Sequence, residues 1–120
     1  MPEPRDQWVD AVAKLTELTQ NGQLEWTVDH NFETAGAMSP AYTTTYKDRP
    51  LRLQKRRVTD EESWGRTQTR DAFVLEFVAP SGDTLWTVPG IDAIEDLFSA
   101  VQYQTAGVKD FLSDILADES

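Results

Sequence analysis

Over its first twenty residues the chain repeats its apolar positions at helical spacing. Trp8, Ala11, Val12, Leu15 and Leu18 share one face, and Asp10, Lys14 and Glu17 fall opposite, which predicts a helix over Asp6 to Asn21. Asn21-Gly22 supplies its left-handed stop. Gln23 to Val28 alternates polar and apolar and reads as a half-buried strand. Asp29 to Pro40 has no period and is predicted to be a loop. Ala41 to Tyr46, rich in threonine and tyrosine, reads as a second strand. Lys47-Asp48-Arg49-Pro50 turns the chain into a third, Leu51 to Val58. Thr59 to Asp71 is polar throughout and is expected to be a long loop around Trp64-Gly65.

Phe73 to Val78 and Thr84 to Val88 form the clearest hairpin signal. Pro80 and Gly82 suit a turn that pairs Ala79 with Asp83. Counting back from that pair sets Phe77 opposite Leu85 and Glu76 opposite Trp86, so both sheet faces carry apolar residues. A two-residue turn would instead set Trp86 beside Phe77. A one-residue slip moves every side chain to the other face, so the two registers place Trp86 differently.

The last element spans Asp92 to Ala117, with Asp92 and Glu95 spaced as a capping box. Ile94, Val101, Val108 and Ile115 recur every seven residues on both sides of Gly107. The shared register predicts one continuous helix of about 39 Å at 1.5 Å per residue. The order is then α-β-β-β-β-β-α over one α+β domain, residues 1–120. It implies a mainly antiparallel five-stranded sheet flanked by an N-terminal helix and a long C-terminal helix.

Charge changes this picture by being segregated. The net charge is −10. Residues 47–70 hold eight bases and four acids, a local +4, whereas residues 71–120 hold one base and ten acids. Arg49, Arg52, Arg56, Arg57 and Arg66 therefore form a candidate partner-binding set, joined by Trp64 as an anchor in a charged loop. An acidic protein surface or a phosphate backbone would suit the arginines. The plainer alternative is a solvated strand face paired with nearby acids, and the acidic remainder of the chain repels nucleic acid. Acid-rich mimicry of nucleic acid is a further alternative.

Candidate chemistry is sparse. With no cysteine, disulfides and thiolate chemistry are excluded. His30 is the single histidine and stands beside Asp29, without a second His at metal-binding spacing. It is the one focus for an unrecognised enzymatic site. No nucleophile elbow, phosphate loop or dinucleotide fingerprint is present. No catalytic, cofactor-binding or metal residue is therefore expected, and no cofactor.

No apolar run reaches the roughly 20 residues of a membrane span, and the N-terminus lacks a signal-peptide pattern, so residence in the cytoplasm is expected. Twelve Asp against four Lys also suit a high-salt cytoplasm, with ordinary acidity as the plainer alternative.

In size, acidity and helix–sheet–helix order the chain resembles small acidic dimeric chaperones that escort secreted proteins. That resemblance implies a homodimer holding another polypeptide. Those chaperones carry a helix between their third and fourth strands, and Thr59 to Asp71 has no helical stripe. The sequence thus points to a non-enzymatic interaction protein whose first partner is a second copy of itself. Trp86, Phe111, Leu112 and Ile115 are the expected self-association residues.

Overall fold

A computed structural model describes residues 4–30, 37, 40–62 and 65–118. Helix α1 (Pro4–Gln20) is followed by strands β1 (Thr27–Asp29), β2 (Ala41–Tyr46), β3 (Arg49–Glu62), β4 (Arg66–Val78) and β5 (Thr84–Thr87), then by helices α2 (Ala93–Thr105) and α3 (Val108–Ala117). The five strands lie in sequence order and every neighbouring pair is antiparallel. The expected α+β architecture is the one the chain adopts.

One sheet face carries the core. Leu51, Leu53 and Leu75 point towards α2, whose Ile94, Leu97, Phe98 and Val101 are buried against them. Val12 of α1 is fully buried in the same cluster. Phe98 packs its ring on Tyr42 of β2 and Phe73 of β4. Gly22, at φ +75°, ends α1, and the backbone N–H of Gln23 returns to the carbonyl of Leu18 at 2.9 Å. This left-handed closure leads the chain into the core through Leu24 and Trp26.

The expected strand over Gln23 to Val28 begins only at Thr27. Before it, a side chain takes the place of a strand neighbour. The Trp26 backbone N–H donates to Gln104 Oε1 at 2.8 Å, and the Gln104 amide donates to the carbonyls of Leu24 and Thr19 at 2.8 and 3.1 Å. Trp26 and Leu24 are buried as expected, but as loop residues satisfied from α2.

Thr59 to Asp71 is not a loop. β3 and β4 pair without interruption from Leu51↔Phe77 to Glu62↔Arg66. Beyond the last buried pair, Gln54 and Val74, they continue as a two-stranded arm of about 25 Å at about 3.3 Å per residue. Gly65 turns at φ +73°. Along β4 the arm residues from Arg66 to Asp71 are all exposed. Ala37 bridges to Arg56 near the root of the arm, and beyond it the largely exposed strands require no apolar alternation. Threonines at 59, 67 and 69 supply the β-branched character instead.

The β4–β5 turn forms as expected, with the Ala79 N–H donating to Asp83 O at 2.8 Å and Gly82 at φ +95°. The register then shifts. Val78 pairs with Thr84 but Phe77 pairs with Trp86, so Leu85 is the extra residue of a bulge. The expected Phe77–Leu85 pair is thereby replaced, and Trp86 joins the helix-covered face. There its ring lies 5.3 Å from Trp8 and 6.0 Å from Phe77.

The C-terminal segment is two helices rather than one. Gly107 adopts φ +69°, ψ +30°, the left-handed region that breaks a right-handed helix. Asp92 is itself helical in backbone and makes no side-chain cap, so the expected capping box does not form.

Candidate functional site

Helix α3 repeats Val108, Phe111, Leu112, Ile115 and Leu116 at positions i, i+3, i+4, i+7 and i+8, the stripe of an amphipathic helix. In an ordinary globular domain such a stripe faces the core. Here the left-handed Gly107 redirects the axis, and α3 has no buried residue. Phe111 and Leu116 remain 62% and 63% exposed, Leu112 and Ile115 45% and 48%. Tyr103, one turn before the break, is 48% exposed. The polar side of the helix is acidic, with Asp110 and Asp114 against a single base, Lys109, and Asp118 follows at the C-cap.

At the root of α3 the end of α1, α2 and the first turn of α3 enclose an open groove of about 1100 Å³. Trp26, Ala100 and Tyr103 give it apolar surface. Its charged lining is Glu25, Asp96 and Asp110 against Lys109. The groove and the stripe together bring exposed apolar side chains beside a mainly acidic lining.

The expected self-association residues divide between two places. Phe111, Leu112 and Ile115 lie together on α3, whereas Trp86 packs on Trp8 at the start of α1. Trp86 keeps 48% of its surface exposed, and Leu85, its neighbour in sequence and the extra residue of the bulge, 67%.

The expected basic face is dispersed. Arg52 is 5% exposed and belongs to a buried polar centre on the sheet face opposite the helices. Its Nη1 and Nη2 donate to Gly82 O and Thr84 Oγ1, both at 2.8 Å, and its Nε lies 3.5 Å from Glu76 Oε1. Thr84 in turn donates to Glu76 Oε2 at 2.7 Å, and Gln54 Nε2 donates to Glu76 Oε1 at 3.3 Å. Arg52 is thus withdrawn from the partner-facing set, because Glu76 stands directly opposite it across β3 and β4.

Arg57 faces Asp71 at 3.6 Å with both side chains largely in water, a pair of little energetic weight. Arg49 is exposed opposite Tyr46, Arg56 is half-buried, and Arg66 is exposed opposite Glu62 at the far end of the arm. Trp64 lies outside the described residues. His30 is exposed just after β1. Among the described residues no group of three or more His, Cys, Asp or Glu is placed to hold a metal ion. No helix of these residues is long and apolar enough to cross a membrane.

No family model, curated protein or solved structure matches the chain.

Two residues have structural roles that the sequence pattern did not assign. Gln104 stands in an ordinary polar position of α2. Glu76 interrupts an apolar strand, and that interruption is the one mark in the sequence of a buried partner for Arg52.

Proposed function

We propose that this chain is a non-enzymatic interaction protein that docks another polypeptide on α3. One observation supports the reading: a regular amphipathic helix that buries none of its own side chains. Fully burying a large apolar side chain is worth up to about 1.5–3 kcal/mol. A stripe of four half-exposed ones therefore favours any surface that covers it. Helix-in-groove recognition uses anchors at this i, i+3, i+4, i+7 spacing.

Site-specific photocrosslinking in the native host tests the proposal. A crosslinking side chain at position 111 is expected to give one discrete adduct, and the same group at Ser113, on the polar side, to give none. Equal labelling from both positions, or none from either, overturns the reading.

A further inference from the structure

We infer that the occupant of α3 and the groove at its root is a basic amphipathic segment of another protein, with apolar anchors flanked by Lys or Arg. The inference rests on α3 being the docking element and adds the chemistry of what docks.

Charge carries the argument. From Asp92 to Asp118 the helical layer has six acids and one base, a local −5. Asp114 and Asp118 flank the stripe on α3, and Glu25, Asp96 and Asp110, with Lys109 the one base among them, line the groove at the root of the helix. A partner crossing this surface must place its rim beside those carboxylates. Complementary rims speed encounter and exclude partners of the wrong sign.

A second copy covers the apolar stripe but sets one −5 layer against another, each on a chain of net −10. Eight of that copy's eleven bases lie in residues 47–70, on the sheet and its arm and outside the helical layer. Arg52 is buried on Glu76 and Arg57 faces Asp71, while the far end of the arm holds Asp60, Glu61 and Glu62 beside Arg66. An anionic lipid surface is disfavoured on the same ground. Helices that lie on such membranes carry Lys and Arg on the polar face, where α3 carries aspartates.

The probes are two synthetic amphipathic peptides with identical Leu/Phe anchors at i, i+3, i+4 and i+7, one flanked by Lys and the other by Glu. Binding to the full chain is followed by fluorescence anisotropy at 50 mM and 500 mM salt, with sedimentation equilibrium of the chain alone at both. The Lys peptide is expected to bind about tenfold more tightly at low salt, with most of that margin lost at high salt. Ile115→Asp is expected to abolish its binding. Asp110→Asn with Asp114→Asn is expected to narrow the difference between the peptides. All these positions are unburied, so circular dichroism should report an unchanged fold.

Equal binding of both peptides, lost in Ile115→Asp, overturns the inference and leaves the docking role of α3 standing. Peptide silence with a dimer that Ile115→Asp dissociates makes the second copy the occupant and has the same consequence. Peptide silence with a monomer at both salts overturns both readings.

Discussion

The backbone N–H of Trp26 donates to the side chain of Gln104, 78 residues away in sequence, at 2.8 Å. Gln104 also holds the carbonyls of Leu24 and Thr19, so one amide fixes the approach of the chain to β1. Gln104→Ala leaves these groups without their partner in a half-buried site. The expected cost is about 1–3 kcal/mol, read as a lower urea midpoint at unchanged slope. Gln104→Glu keeps the acceptor for Trp26 but turns a carboxylate towards two carbonyls, and is expected to recover little of the loss.

Arg52 and Glu76 form a pair in which each side chain is 6% exposed. Arg52→Ala strands a buried carboxylate and is expected to cost about 3–5 kcal/mol. Replacing both partners together, Arg52→Met with Glu76→Leu, should be milder than the single change, although Thr84 and Gln54 lose a shared acceptor. Thermal unfolding of the two variants checks the order. A single variant as stable as the parent would show that water reaches Glu76.

Gly107 is left-handed with nothing within 4 Å of where a Cβ would stand. Alanine there meets no clash but resists this backbone conformation by about 1–2 kcal/mol. Because α3 buries nothing, the chain can straighten instead, fusing α2 and α3. Gly107→Ala is expected to raise the helical circular dichroism signal, leave the melting temperature nearly unchanged, and weaken binding of the Lys-flanked peptide several-fold. A marked fall in melting temperature with no gain in helicity would mean that the break is held by packing.

Beyond Arg57 no described residue outside β3 and β4 pairs with the arm, and a two-stranded ribbon on its own is marginal in water. Backbone amides from Arg57 to Glu62 and from Arg66 to Arg70 are expected to exchange with solvent orders of magnitude faster than those of Leu53 and Leu75, which are buried. Hydrogen exchange with peptide-level mass spectrometry reads this directly. Equal protection along the whole of β4 would show that the arm is covered in solution.

How much of this was legible in the sequence depended on which side of an element met apolar partners. α1 and β2 were legible because one face of each is buried, and the turn at Pro80-Gly82 because its residue types are matched to its backbone. The arm was not, since its outer residues are exposed and leave no apolar period to detect. The bulge at Leu85 leaves no compositional mark, so counting from a correctly placed turn still set Trp86 one residue out. At Gly107 the seven-residue spacing persisted across the break. Periodicity records that α3 is amphipathic, not which surface it faces, and the sheet is not that surface. The candidate site was legible as the residues Phe111, Leu112 and Ile115, but not as a helix standing apart from its own core. The arginines were misleading for a related reason: Arg52 alternates with Leu51 and Leu53 as a solvated residue would, and Glu76 across the ladder, with Gly82 and Thr84, draws it inward.

The length of the arm has an electrostatic consequence. At physiological ionic strength the field of an exposed charge decays over about 8 Å. An arm of about 25 Å carries its end some three such lengths from the last buried pair, Gln54 and Val74. A molecule arriving there responds to the local sequence, Asp60, Glu61, Glu62 and Arg66, rather than to the −10 of the whole chain. In dilute buffer, where the screening length grows to about 30 Å, that insulation disappears and the arm and body act as one charged object. Ionic strength thus sets whether an approaching molecule meets one electrostatic surface on this protein or two.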